Sequence, residues 1–163
     1  MENIINIYHY SLYLMHYRLH LLVNLVNPFR LLHKLPMQKR KYKELGIIID
    51  KEVDKAFGNK KFGLSILVSG GLLLVTIFLS IFVLLQLLIK LLDIELIFGK
   101  YIYIVIVALS FGICYIFVFY KDKYMPYFDR YERLRRKEQN RYIIFSMLYI
   151  ALISFLFFVS LLY

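Results

Sequence analysis

Histidines at positions 9, 16 and 20 are the side chains of this sequence best suited to chemistry. His16 and His20 stand four residues apart, so a helix would present both imidazoles on one face, the spacing by which one helix gives a metal two ligands. His9 lies a further two turns along. Two ligands leave a tetrahedral site half built, and no Cys or acid follows at ligand spacing. A haem would need a second axial ligand from elsewhere. The expectation is therefore no cofactor, with His9, His16 and His20 the candidates were a metal held. Ser69-Gly70-Gly71 offers a hydroxyl beside two glycines, but no His or acid in the same stretch could activate it. Nothing in the sequence reads as an enzyme.

The elements that would carry these residues follow from hydropathy. Hydrophobic residues are 61% of the 163, against ~45–50% in an ordinary soluble domain, and they are clustered. Phe62–Ile89, Tyr101–Tyr120 and Tyr142–Tyr163 carry no charge at all, and each exceeds the ~18 residues that mark a transmembrane helix. The sequence predicts an all-α integral membrane protein with three transmembrane helices. The first run would be ~42 Å long as a helix, more than a ~30 Å hydrocarbon core needs, so it must tilt, project, or bend at Gly70-Gly71. No Asp, Glu, Lys, Arg or His lies in the three runs, which argues against a proton relay or ion path within them.

A fourth apolar segment, Ile4–Val26, is interrupted by polar residues. At 100° per residue Asn6, His9, Tyr13, His16, His20, Asn24 and Asn27 share a stripe about 80° wide. That pattern predicts an amphipathic N-terminal helix in the interface or against the bundle, in preference to a fourth span. Pro28 disfavours helix at Asn27. Residues 1–61 are expected to form an amphipathic and basic cytoplasmic arm. Residues 62–163 are expected to form the transmembrane region, with a charged helical segment at 121–141 running unbroken into the third span. Asp129–Arg133 and Glu132–Arg136 are spaced as i,i+4 pairs worth only ~0.2–0.5 kcal/mol each.

The formal charge is +10. Eleven Lys and Arg precede the first run, two (Lys90 and Lys100) lie between the first and second, and eight lie from Lys121 to Arg141. By the positive-inside rule the loop Asp93–Lys100 is outside and 121–141 inside. Lys39, Arg40, Lys41 and Lys43, with Arg133, Arg135, Arg136 and Lys137, are the expected contacts to anionic lipid. Nucleic acid is not expected, since no fold signature accompanies the charge. Cys114 is the single cysteine, so no intrachain disulfide can form, and the N-terminus lacks the basic start and small-residue site of a cleaved signal peptide.

Ser65, Ser69, Thr76 and Ser80 share one face of the first run, and Ala108 and Gly112 form a small-xxx-small pair in the second. Small and hydroxylated residues let helices approach closely and hydrogen-bond in lipid. Internal packing and contact with other membrane subunits both fit that chemistry. The expected function is a small non-enzymatic integral membrane subunit or accessory factor that packs into, and helps assemble or anchor, a larger membrane complex. A homo-oligomeric pore or holin-like channel is the alternative. Partners are membrane lipids and other membrane subunits or a second copy of the chain. The location is a multi-pass membrane protein of a bacterial inner membrane, with an organellar membrane as the alternative.

Overall fold

Each of the three uncharged runs forms a long helix in the computed structural model, which describes residues 1–28, 33, 35–93 and 99–162. Among these every regular element is helical. In order they are α1 (Glu2–Leu25), α2 (Pro36–Glu44), α3 (Ile49–Gly58), α4 (Leu64–Leu91), α5 (Lys100–Cys114), α6 (Tyr124–Glu132) and α7 (Arg136–Leu162). A π turn, Tyr115–Phe119, and a 3-10 turn, Tyr120–Asp122, extend α5. Three stretches, Leu64–Leu91, Lys100–Asp122 and Arg136–Leu162, are long and apolar enough to cross a membrane. Most of the expected loop Asp93–Lys100, and Tyr163, fall outside the described residues.

The chain divides into two compact units, Met1–Leu12 with Gly70–Tyr163, and Tyr13–Ser69. The division falls inside α1 and α4. Its cause in the first unit is local: the opening turns of α1 pack against the bundle, and Asn6, His9, Tyr10, Ser11 and Leu12 are buried there. The polar stripe thus faces protein over this part of α1.

Helix α4 continues through Gly70-Gly71, and Gly70 serves a close approach. A Cβ added there would stand 3.1 Å from the Phe119 ring at the end of the second span. Gly70–Leu91 at ~1.5 Å per residue is ~33 Å long, close to a ~30 Å hydrocarbon core. The excess length is Leu64–Ser69, which belongs to the second unit. There Asn59 Oδ1 accepts from Lys61 N at 2.8 Å and Phe62 N at 3.1 Å, an Asx-type turn that leads the chain into α4.

The segment 121–141 is not one rod. Helix α6 ends at Glu132 and α7 begins at Arg136, so Glu132 and Arg136 fall in different helices. Side chains satisfy the ends on both sides of this break. Gln139 Nε2 donates to the carbonyls of Tyr131 (3.4 Å) and Glu132 (3.2 Å), at the end of α6 where the regular i,i+4 donors run out. Glu138 Oε2 accepts from Arg135 N at 3.2 Å, the half of a capping box in which the third helical residue reaches back. Helix α6 does not protrude either: Tyr124, Phe128 and Tyr131 are buried.

Candidate functional site

The densest set of polar contacts in the first unit surrounds the opening turns of α1. Asn6 Nδ2 donates to Glu2 O within its own helix and to Phe117 O in the π turn, both at 2.9 Å. The π turn leaves carbonyls of the second span without regular helical donors. Lys123 Nζ donates to one of them, Ile116 O, at 3.1 Å. A side chain from α1 and one from the loop therefore cap this helix end jointly. The chain turns sharply just beyond, with Lys121 and Asp122 both at φ 54, a left-handed conformation costly for residues other than glycine.

His9 is wholly buried. Its ring lies 5.6 Å from Phe119, 5.7 Å from Tyr124 and 5.1 Å from Phe128, centroid to centroid. Burial pushes its pKa down to about 3, because this apolar surround disfavours the imidazolium. Burial, then the Asp122 charge, raises the Tyr124 phenol. Helix α6 holds α1 from the same side: Tyr127 OH donates to Glu2 Oε1 at 3.2 Å and Tyr131 OH to Asn3 Oδ1.

Hydroxyls form a second seam. Tyr8 OH donates to Thr76 Oγ1 at 3.1 Å, and Ser80 Oγ and Tyr149 OH share a hydrogen bond of 2.7 Å. The two tyrosine rings meet edge to face at 5.7 Å. An adjoining groove of about 350 Å³ is lined by Ile4, Leu73, Ile77 and Phe145 among others. With its hydroxyls turned to one another, the wall of this groove is chiefly apolar.

In the second unit His16 Nδ1 and Ser65 Oγ are hydrogen-bonded at 3.0 Å, and His20 stacks on Phe57 with ring centroids 3.5 Å apart. Burial and then the His20 charge lower the His16 pKa. Tyr13 OH donates to Gly58 O at 2.6 Å, tying α1 to the end of α3. His16 and His20 both lie against the Phe57 ring, and among the described residues no group of three or more His, Cys, Asp or Glu side chains is placed to hold a metal ion.

The serine face divides by position. Ser65, Ser69 and Thr76 are buried within the chain and Ser80 is half-buried. Ser69 Oγ donates to Ile66 O at 3.0 Å. The Ala108–Gly112 pair lies elsewhere. Ala108 is exposed, and a Cβ on Gly112 would meet nothing within 4 Å. The buried face of α5 is Ile106, Ser110 and Cys114. Of the basic candidates, Lys39, Arg40, Lys41 and Lys43 are exposed on α2, and Arg133, Arg135, Arg136 and Lys137 are exposed at the α6–α7 break. Sequence reasoning placed Asn6 and His9 on a polar stripe but missed their partners, because Phe117, Phe119 and Phe128 carry no signal marking them as such.

No protein family, curated protein or solved structure matches the chain.

Proposed function

We propose that this chain is a small non-enzymatic integral membrane subunit that packs laterally against other membrane proteins and helps assemble or anchor them. One observation carries this reading: the three candidate spans bury only 22%, 22% and 11% of their most apolar stretches within the chain. The remaining surface is uncharged and faces outward, and on α5 it includes the small pair Ala108 and Gly112. Lipid gives no reason to place small residues together on an outer face, whereas close helix contact does. The hydroxyl face of α4 is a weaker support than its sequence suggested, since Thr76 and Ser80 are engaged by Tyr8 and Tyr149 of the same chain.

The discriminating experiment compares two substitutions. Gly112→Leu places its side chain in open space and removes a helix glycine, so the chain alone should keep its stability or gain up to ~1 kcal/mol. Loss of co-purifying membrane partners, read by mass spectrometry from mild detergent, is the expected result. Thr76→Leu removes the acceptor of Tyr8 and overfills a buried site, so it should destabilise the chain by about 1–3 kcal/mol. Unchanged partners with Gly112→Leu would remove the assembly reading. A discrete ring of the purified chain alone would favour the pore instead.

Orientation is tested separately. In a Cys114→Ser background, Lys100→Cys should react with an impermeant thiol reagent from outside only, and Arg133→Cys from inside only, as the eight-to-two charge imbalance requires. Labelling of residue 100 from the cytoplasmic side alone would reverse the topology.

A further inference from the structure

The groove between α2 and α3 combines features that the rest of the basic surface lacks. It is open, of about 810 Å³, and its lining includes His33, Lys39, Tyr42, Lys43 and Asp50, with Ile47, Ile48 and Ile49 beside them. Lys39 and Lys43 are four residues apart and share a face of α2. Neither ammonium forms an ion pair among the described residues, whereas Arg40, on another face of α2, is paired with Glu44 at 3.2 Å. Tyr42 OH and His33 Nδ1 hold each other at 3.1 Å, fixing the polar wall.

The apolar wall is placed by the end of α2. Gly46 takes φ +65, and Ile47 N donates to Tyr42 O at 3.0 Å while Gly46 N donates to Lys43 O at 3.2 Å. This is the Schellman arrangement, which only a glycine adopts readily. It reverses the chain so that Ile47 and Ile48 follow directly on the lysine face, 42% and 57% exposed.

We propose that this groove is a headgroup site for a singly charged anionic phospholipid, with the phosphodiester between Lys39 and Lys43 and the first part of an acyl chain over Ile47 and Ile48. Two ammonium groups against the one carboxylate of Asp50 leave a single positive charge, which a phosphodiester neutralises. A soluble phosphate would use the lysines and leave the isoleucines in water. A lipid covers both walls. The site narrows the general lipid contact of the basic arm to two of its four cations, and it rests on the reading of the chain as a bilayer protein.

The test is native mass spectrometry of the full chain in neutral detergent with equal amounts of phosphatidylglycerol and phosphatidylcholine. A preference for phosphatidylglycerol is expected. Lys39→Gln with Lys43→Gln should weaken it about 25-fold, at about fivefold for each lysine near an anionic surface. Ile47→Asn with Ile48→Asn should weaken it too, while Lys90→Gln with Lys100→Gln, which lie outside every basic cluster assigned to lipid, should not. Retention of the preference in the lysine variant would overturn the site. Displacement of the lipid by equimolar glycerol 3-phosphate would assign it to a soluble phosphate. Flotation with liposomes separates this from the broader reading: a chain that floats but shows no lipid preference loses the site alone, and one that does not float loses both.

Discussion

Acidification from pH 7 to 4.5 is expected to destabilise the protein by about 2–3 kcal/mol through His9 alone. In an unfolded chain a histidine titrates near 6.5, whereas burial among Phe119, Tyr124 and Phe128 holds the folded group down at about 3. The unfolded state therefore binds more protons between these values, and folded stability falls with pH at up to ~1.36 kcal/mol per unit. Two units below 6.5 give ~2.7 kcal/mol, because the folded imidazole stays neutral down to pH 4.5 while the unfolded one takes up a proton. Above pH 6.5 this contribution is flat. Carboxylates and the other histidines titrate in the same range, so the measurement is the difference between the parent and His9→Gln. Thermal midpoints in detergent from pH 4.5 to 8 should converge as pH falls. Parallel curves for the two proteins would show that His9 is not held neutral by its surroundings.

Asn6→Asp is expected to be more damaging than Asn6→Ala, although it is nearly isosteric. Both hydrogen bonds of the Asn6 side chain run from Nδ2 to carbonyl oxygens, Glu2 O and Phe117 O. Its Oδ1 is buried and makes no hydrogen bond among the described residues. Alanine removes the donor and leaves the Phe117 carbonyl unsatisfied, at about 1–3 kcal/mol. A carboxylate can donate to neither carbonyl and brings an uncompensated charge into a wholly buried position, at about 3–5 kcal/mol. The acid form of Asp can donate once, so part of the loss in Asn6→Asp should return at low pH. Denaturation of the variants in detergent reads both effects. Equal stability of Asn6→Asp and parent at pH 7 would mean that the α1–π-turn contact does not hold the helix end.

The long apolar helices were legible because an uncharged run of this length favours helix, and the runs Tyr101–Tyr120 and Phe62–Ile89 required no knowledge of neighbours. The stripe on α1 was legible as a periodicity, but what faces it was not. Asn6 meets a carbonyl 111 residues away, and nothing near Phe117 in sequence announces an unsatisfied acceptor. The break before α7 was invisible for a different reason. It contains neither Gly nor Pro, and its caps are Glu138 and Gln139, which would serve equally well inside a continuous helix. The serine face was correctly seen as a row of small polar residues. What its members meet is set elsewhere in the chain, by Tyr8 at Thr76, Tyr149 at Ser80 and His16 at Ser65.

The cap between Asn6 and Phe117 also imposes an order in time. A ribosome adding ~5–20 residues per second completes the opening turns of α1 roughly 5–20 s before the carbonyl that Asn6 will hold exists. Over that interval the buried amide of Asn6 and the imidazole of His9 must find temporary partners, in water, in headgroups or on a chaperone. The second span, when it arrives, meets a helix already made and waiting, so the first unit closes only late in synthesis.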